Sequence, residues 1–541
     1  MPRLTGAEAL ALTLQRHGVE AVFALPGVQI MEAFDAFARL GGPHLFTVRH
    51  EQATTYMALG YGRASGKVAA ALVVPGPGVL NATAGLGTAF STSTPLLLIA
   101  GGIETWGLGK GRGLLHEIRD QGEVLGPITK GFTRAMRPEE VPTLVAEALR
   151  RAMEGRPRPT AVEVPPDVLA ASAEMEVPES APLSGPEPER EAVRKAARLL
   201  REARQAAIWA GGGAVTSECA EELLTVARAL QAPLLLTPEG KGAVPEDDPL
   251  CAGANYYGFG PARWLIPQCD VVLAVGTRFL LPMYRAWALT PPQRLVQIDI
   301  DPEEIGRNYP AEVGLVADAK KALRALREEL GESSRGRQGE ALAGECRRRA
   351  LEEVKGWAPL QVKVLEALRK EVPEDGIVVA GVTNIAYWGN LAFPVYRPRT
   401  YMTSSYFATL GYAYPTSLGA QVAYPQRAVV SINGDGGFLY NAAELATAVH
   451  YHLPAVALVF VDGAYGASWT DQRDRFGGRF LGTEITNPDF ARLAESFGAR
   501  GVKVQPEEVG PAVREALGGR RPAVIEVPLP RLIPPFQVHR A

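Results

Sequence analysis

The chain has 541 residues, 47% of them hydrophobic, with a formal net charge of −3. This length allows about three domains with sizeable cores. The slight acidity and the lack of a basic tract exclude nucleic acid as the main partner. No apolar run reaches about 18 residues and the first residues do not read as a signal peptide, so we expect no membrane insertion. The four cysteines have no paired metal spacing, which predicts buried thiols and a cytoplasmic location.

The first third of the chain alternates predicted helices and strands. An amphipathic helix is predicted over residues 4–17, with Thr5 at its start, followed by a strand at 21–24. Arg49 to Gln52 opens another helix, and residues 70–74 form another strand. Such alternation indicates a doubly wound parallel sheet. We therefore predict an α/β domain over residues 1–172.

Two linkers separate this domain from two further α/β domains. Residues 174–190 are rich in Pro, Glu and Ser, and residues 331–349 form a polar Gly, Ser and Arg stretch that leads into helices. The strands and helices predicted between the linkers indicate a Rossmann-like domain over 190–330, and a third domain follows over 350–530. Gly211 to Gly213 is a weak sign of dinucleotide binding, because tight strand-to-helix packing also needs glycine.

The most informative stretch, residues 429–466, reads as a strand, an acidic Gly-rich turn, a helix predicted over 442–451 and a second strand. Asp435 follows the first strand and Asp462 follows the second. In a right-handed βαβ unit both carboxyl ends meet at one sheet edge, so we expect the two acids to lie together. The turn glycines leave backbone N–H groups free to bind an anion; they are Gly434, Gly436 and Gly437. Oxygen ligands beside such a turn suit Mg²⁺ with a diphosphate, although two solvent-exposed turn acids are the plainer alternative.

An internal repeat links the first and third domains. Residues 60–95 align without a gap on residues 419–454, with ten identities among 36 positions. Two Ala- and Gly-rich βαβ units could also match by chance. Gly76 falls opposite Asp435, so only the C-terminal copy keeps the acid.

These residues resemble the thiamine diphosphate-dependent 2-oxo-acid decarboxylase and carboligase superfamily, and most closely its acetolactate synthase-like proteins. The resemblance implies that Asp435 and Asp462 bind Mg²⁺ by side chain and that Ala464 binds it by its carbonyl. The family usually has two successive amides where this chain has Val461 and Asp462, so one metal position gains a charge.

The segment containing Arg49 to Gln52 matches the part of the family that carries the activating glutamate, here Glu51. Such a carboxylate against a ring nitrogen of thiamine diphosphate favours the reactive tautomer; a plain helix-start glutamate is the alternative. Leu410 takes the place of the apolar residue that wedges between the two cofactor rings, unless it is an ordinary core leucine. The resemblance implies a set of cofactor-binding positions: Gly27, Pro75, Asn81, Thr383, Asn384, Ala408, Leu410, Gly434, Gly436, Gly437 and Tyr465.

The resemblance also implies a function and an assembly. We expect decarboxylation of a 2-oxo acid, with pyruvate as the first candidate substrate. The enamine that results is expected to be transferred to a second 2-oxo acid. A decarboxylase that releases an aldehyde is the first alternative, and a non-catalytic nucleotide- or flavin-binding regulatory protein is a remote one. The active site is expected between subunits of a homodimer or homotetramer, with a small regulatory subunit as an option.

Two further points stay open in the sequence. FAD in the central domain is an even choice, because Arg278 is followed by Phe279, Leu280 and Leu281 rather than by acids. His116 and Glu117 replace an aromatic-amide pair near the substrate, or lie in an exposed loop. Residues 468–473 are expected to cover the site, with Trp469 or Arg473 meeting a carboxylate.

Overall fold

The computed structural model describes residues 2–280, 293–331 and 338–538. These residues form three parallel six-stranded sheets and one short antiparallel pair. The predicted class, three doubly wound α/β domains, is confirmed. Within the described ranges, no helix is both long and apolar enough to cross a membrane.

The N-terminal domain has a sheet of strand order β3-β2-β4-β5-β7-β6, and β1 pairs with β8 outside it. Its strands are β1 (Arg3–Thr5), β2 (Ala21–Ala24), β3 (His44–Thr47), β4 (Ala69–Val73), β5 (Leu96–Gly101), β6 (Phe132–Arg134), β7 (Pro159–Val164) and β8 (Ser172–Glu174). Its helices are α1 (Gly6–Arg16), α2 (Met31–Leu40), α3 (Glu51–Ser65), α4 (Pro77–Ser91), α5 (Gln121–Leu125), α6 (Val141–Met153) and α7 (Pro166–Ala170).

The central domain has the strand order β11-β10-β9-β12-β13-β14. Its strands are β9 (Ala206–Ala210), β10 (Leu234–Leu236), β11 (Cys251–Ala254), β12 (Val271–Val275), β13 (Leu295–Asp299) and β14 (Val313–Val316). Its helices are α8 (Arg190–Glu202), α9 (Gly212–Thr216), α10 (Ala220–Leu230), α11 (Ala262–Leu265) and α12 (Ala319–Leu330).

The C-terminal domain repeats the N-terminal order as β16-β15-β17-β18-β20-β19. Its strands are β15 (Ile377–Ala380), β16 (Tyr401–Met402), β17 (Val429–Gly434), β18 (Val456–Val461), β19 (Arg500–Lys503) and β20 (Ala523–Pro528). Its helices are α13 (Gly339–Trp357), α14 (Pro359–Glu371), α15 (Asn384–Ala392), α16 (Ala413–Ala423), α17 (Asp435–Leu439), α18 (Leu445–His450), α19 (Gly466–Arg475), α20 (Phe490–Ser496), α21 (Val509–Gly519) and α22 (Pro535–Val538).

Three local predictions need correction. The linker expected over 331–349 is already helical from Gly339, because Ala343, Cys346 and Ala350 bury one side of α13; residues 332–337 lie outside the described residues. The helix expected over 4–17 begins only after the short strand β1. The single helix expected over 442–451 is the short α18, preceded by a 3₁₀ turn at Ala442–Glu444.

The N- and C-terminal domains share one hydrophobic core. At its centre α3 and α16 cross with their backbones in contact. The closeness is seen at Gly60, where an added Cβ would lie 1.9 Å from the carbonyl oxygen of Thr416. A Cβ on Gly419 would lie 1.9 Å from the carbonyl oxygen of Met57. The internal repeat pairs Gly60 with Gly419, and the same offset pairs Met57 with Thr416, so each contact is the counterpart of the other. The two domains therefore meet about a local twofold relation.

Candidate cofactor and active site

The carboxyl ends of β17 and β18 carry the two predicted metal ligands. Asp435 is buried, and its Oδ2 accepts hydrogen bonds from Gly463 N at 2.9 Å and from Asn487 Nδ2 at 2.7 Å. Because Gly463 directly follows Asp462, the first acid binds the turn that holds the second. The side-by-side strand ends expected from the βαβ unit are therefore present.

Asp462 has an environment that suits a cation. Burial, with the nearby charge of Asp435, raises the pKa of the Asp462 carboxyl to about 6. A divalent cation between the two carboxylates would offset both effects. Within the described residues, no group of three or more acidic, His or Cys side chains is placed so that it could hold a metal ion.

The third predicted ligand is the carbonyl of Ala464. Ala464 forms an isolated antiparallel bridge with Glu484. The hydrogen bonds of that bridge join Ile485 N to Gly463 O at 3.0 Å and Tyr465 N to Thr483 O at 2.8 Å. The Ala464 carbonyl oxygen takes no part in these two hydrogen bonds and can bind another partner.

The glycine turn after β17 is tightly packed on one side and open on the other. A Cβ on Gly436 would lie 2.7 Å from the Tyr465 ring, which therefore packs directly on the turn. A Cβ on Gly437 would have nothing closer than 3.8 Å, where it meets Leu410. The space beside Gly437 can receive a phosphate group, whereas the N–H of Gly436 already donates to Asp435 Oδ1 at 2.8 Å.

The predicted positions in residues 383–410 lie around this turn in different ways. Thr383 is close to it, because its Oγ1 would be 3.1 Å from a Cβ on Gly434. The Asn384 side chain is already engaged by Gln361 Nε2 and by the carbonyl of Leu532, both at 3.0 Å. The main chain of Asn384, one amide hydrogen and one acceptor position of its side chain are thus left for a cofactor. Ala408 has a left-handed backbone (φ 46°) and is exposed.

The second group of predicted residues lies at the edge of the N-terminal sheet. Glu51 is the first residue of α3, and its Oε2 accepts a hydrogen bond from Asn81 Nδ2 at 2.9 Å. Gly27 packs against Val74, where a Cβ would lie 2.3 Å from Cγ1. Pro75 is buried beside them. These four predicted residues therefore share one sheet edge.

His116 packs against Gly76 at this edge of the sheet. It has a left-handed backbone (φ 66°), and its carbonyl oxygen would be 2.2 Å from a Cβ on Gly76. Its Nδ1 is buried and has no hydrogen-bond partner in the described part of the chain. Glu117 instead accepts a hydrogen bond from Leu114 N at 2.9 Å, which holds the loop together.

The segment expected to cover the site contacts Arg531, a residue that the sequence did not single out. Arg473 pairs with the adjacent Asp474, and Arg531 lies over the Trp469 ring, 4.7 Å from its centroid. Arg531 also donates to Asp462 O at 3.4 Å. Asn487, which holds Asp435, was missed as well; the Asn-Pro pair at 487–488 signals a turn but gives no sign of its partner.

A cavity of about 1010 Å³ lies between the domains. Its lining includes Gly212 and Gly213 from the central domain and Ala408 from the C-terminal domain. Asp299 also lines it, and burial raises the pKa of that carboxyl to about 6. Phe279 and Leu280 line the cavity too, whereas Leu281 lies outside the described residues.

The structure does not bring all predicted site residues together. Among the described residues, no hydrogen bond or ion pair joins Glu51 or Asn81 to the group around Asp435 and Asp462. By these contacts the predicted residues fall into two groups, which we call half-sites: a carboxylate edge, and an edge with two acids beside an open glycine turn. The chain is thus a three-domain α/β protein with acidic side chains at two sheet edges, one of them beside an open glycine turn.

Family models match most of the chain. They describe the N-terminal thiamine pyrophosphate-binding domain (residues 4–124), the central domain (193–326) and the C-terminal thiamine pyrophosphate-binding domain (381–527) of thiamine pyrophosphate enzymes. The chain belongs to this family, and it is similar to acetolactate synthase large subunits.

Curated relatives cover nearly the whole chain. The "Probable 2-ketoarginine decarboxylase AruI" of Pseudomonas aeruginosa is 37% identical over 95% of this chain and 92% of its own. The "Probable acetolactate synthase large subunit" of Methanocaldococcus jannaschii is 32% identical over 97% and 92%. The "Sulfoacetaldehyde acetyltransferase" of Castellaniella defragrans is 31% identical over 97% and 93%. The relatives thus differ in the reactions their names give.

Proposed function

We propose that this chain is a Mg²⁺-dependent thiamine diphosphate enzyme. It decarboxylates a 2-oxo acid, with pyruvate as the first candidate substrate, and transfers the remaining carbon unit to a second 2-oxo acid. The observation that carries the proposal is the hydrogen bond from Gly463 N to the buried Asp435, which unites the two acidic turns beside an open glycine turn. When bound, thiamine diphosphate supplies an electron sink that makes loss of CO₂ feasible.

The C-terminal half-site would hold the diphosphate end of the cofactor. Asp435, Asp462 and the Ala464 carbonyl would bind Mg²⁺, and the open N–H groups beside Gly437 would bind phosphate oxygens. Asn487 would keep the Asp435 carboxylate in place. Leu410, which lies beside the turn, would supply an apolar support for the rings.

The N-terminal half-site would act on the ring end of the cofactor. Glu51 would hold a proton at a ring nitrogen, as the family resemblance implies. Asn81, which donates to Glu51 at 2.9 Å, would fix the carboxylate in one orientation. Gly27 and Pro75 would shape the wall beside it.

The separation of the half-sites supports a homodimer or homotetramer in which each site is built from two chains. Exposed apolar side chains flank both half-sites: Val28, Leu80, Leu115, Leu439 and Tyr440. A second copy of the chain would cover them and bring its own Asp435 group to Glu51. A smaller subunit is a further option, because several relatives are named large subunits. All four thiols are free and buried, in keeping with the cytoplasmic location that we propose.

Simple decarboxylation is the second candidate. The buried Nδ1 of His116 lacks a partner among the described residues, and a histidine in this position could deliver the proton that releases an aldehyde. The relative from Pseudomonas aeruginosa is named a 2-ketoarginine decarboxylase, so a larger 2-oxo acid would then be the substrate.

FAD would lie in the large cavity if the chain is a flavoprotein. The volume of about 1010 Å³ and the glycines at 212 and 213 support this part of the proposal. Purified protein would then show the visible absorbance of a flavin, released on denaturation. Colourless protein that also fails to bind added FAD in a calorimeter would remove FAD from the proposal.

The deciding experiment supplies thiamine diphosphate, Mg²⁺ and either ¹³C-pyruvate or 2-ketoarginine, and follows the products by NMR, with Glu51→Gln as control. Acetolactate from pyruvate that is lost in the control supports the main proposal. An aldehyde from either acid supports the second candidate. If a calorimeter detects no binding of thiamine diphosphate, both fail and a non-catalytic regulatory role returns.

A further inference from the structure

Glu444 is a buried carboxylate that the reaction proposed above does not use. It lies at the end of the 3₁₀ turn Ala442–Glu444 in the C-terminal domain and is 0% exposed. Burial raises the pKa of its carboxyl, and the hydrogen bonds that it accepts oppose the rise. Burying a carboxylate costs free energy unless hydrogen bonds or opposite charges compensate it.

The partners of Glu444 are the residues directly before Glu51. Its Oε1 accepts hydrogen bonds from Arg49 N at 3.0 Å and His50 N at 3.1 Å, and its Oε2 accepts from the Thr447 hydroxyl at 2.6 Å. The contacts with Arg49 and His50 join positions more than 390 residues apart in the chain. The C-terminal domain therefore fixes the main chain from which Glu51 projects.

A second contact between the two domains involves the residues shortly before Arg49. Tyr451, at the end of α18, accepts a hydrogen bond from Thr47 N at 2.7 Å and packs edge-on against Phe46. Residues 444–451 thus form a dock for residues 46–50. Within this dock Glu444 contacts the two residues nearest to Glu51.

We propose that Glu444 is a positioning residue for Glu51. It holds the N–H groups of Arg49 and His50, so that the first residue of α3 leaves the C-terminal domain in one direction. The proposal rests on the proposed role of Glu51 at the cofactor. Gln can preserve the arrangement, because its carbonyl oxygen can accept both N–H groups while its amide nitrogen donates to the Thr447 hydroxyl.

The test compares the full-length variants Glu444→Ala and Glu444→Gln with the unmodified protein, each loaded with thiamine diphosphate and Mg²⁺. The first readout is deuterium exchange at C2 of the bound cofactor, which depends on Glu51 and needs no substrate. We expect exchange per bound cofactor to slow about 10- to 100-fold in Glu444→Ala, because misplacing a catalytic group by about 1 Å has effects of that size. In Glu444→Gln it should stay within about threefold of the unmodified protein.

Glu246→Ala is the matched control. Its buried carboxylate also crosses between domains, where it accepts a hydrogen bond from Val395 N at 3.2 Å and pairs with Lys241. Its removal should lower stability without slowing C2 exchange per bound cofactor. A similar slowing in the control would mean that destabilisation alone explains the effect, and would overturn the proposal.

The second readout needs no cofactor. In the apoprotein, amide hydrogen exchange of Arg49 and His50 should accelerate in Glu444→Ala but not in Glu246→Ala. Unchanged protection, or unchanged C2 exchange in Glu444→Ala, overturns the proposal; so does a Glu444→Gln variant as slow as Glu444→Ala. If the unmodified protein binds no thiamine diphosphate, the proposed function fails, while the apoprotein readout still tests whether Glu444 holds this segment.

Discussion

Replacing Asp462 by asparagine should stabilise the protein in the absence of metal. The pKa of this carboxyl rises from an ordinary value of 3.8 to about 6 on folding, through burial and the charge of Asp435. The unfolded chain therefore loses the proton at lower pH than the folded chain. It follows that the free energy of unfolding falls as the pH rises between these two values, and that the penalty is complete above about pH 6.

The size of the effect follows from the shift. Each pKa unit corresponds to about 1.36 kcal/mol, so a shift of about two units costs about 3 kcal/mol at neutral pH and well under 1 kcal/mol near pH 4. Asparagine keeps the shape of the side chain and removes the charge. Asp462→Asn should accordingly raise the free energy of unfolding by about 1–3 kcal/mol at about pH 7, after allowance for partial exposure, and by much less at about pH 4.

Urea denaturation of the metal-free protein and the variant at both pH values measures this difference. Added Mg²⁺ should reverse the order at neutral pH, because the cation offsets the repulsion in the unmodified protein and has lost a charged ligand in the variant. A stability gain of equal size at both pH values would refute the electrostatic reasoning. A gain that Mg²⁺ leaves intact would refute the assignment of Asp462 as a ligand.

Three further predictions, tested with four variants, concern other parts of the structure. Glu51→Gln should lower turnover about 10²- to 10⁴-fold, the usual contribution of a proton-transferring group; calorimetry should show that it still binds thiamine diphosphate, and near-normal turnover would exclude Glu51. Gly60→Ala should lower the free energy of unfolding by about 1–3 kcal/mol, because the added methyl group meets the Thr416 carbonyl. Gly344→Ala, a helix position with nothing within 4 Å, should raise the unfolding free energy by up to about 1 kcal/mol; equal effects in denaturation would refute the close crossing of α3 and α16. Asn487→Ala should weaken Mg²⁺ binding about 10- to 100-fold in a calorimetric titration, because Asp435 loses a donor that orients it; unchanged affinity would show that Asn487 is not needed.

The sequence predicted most of the sheet positions well, because buried parallel strands are continuous apolar runs with glycine or acid at their ends. The strand at 21–24 has the predicted bounds, and the strand predicted over 70–74 is observed one residue earlier, at Ala69–Val73. Several strands were not predicted, β11 and β14 among them. β11 contains the turn-type residue Gly253, and β14 is short and partly exposed, so neither shows such a run.

The site could be predicted only where its residues are neighbours in the sequence or in adjacent strands. Asp435 and Asp462 fall in one βαβ unit, which fixes their relation. Asn487 reaches Asp435 across 52 residues, and Glu444 reaches Arg49 across 395. Such contacts depend on how loops and whole domains pack, and no local pattern carries that information.

The repeat also explains why the two domains hold different half-sites. At the position that aligns with Asp435, a side chain on Gly76 would collide with the carbonyl of His116, so the N-terminal turn is closed by its own loop. At the position that aligns with Glu444, a Cβ on Gly85 would lie 2.1 Å from the Thr55 hydroxyl. The N-terminal copy therefore has no room for either acid. In the proposed function its turn would form a wall of the site, and the acids that hold the metal would come from the C-terminal copy.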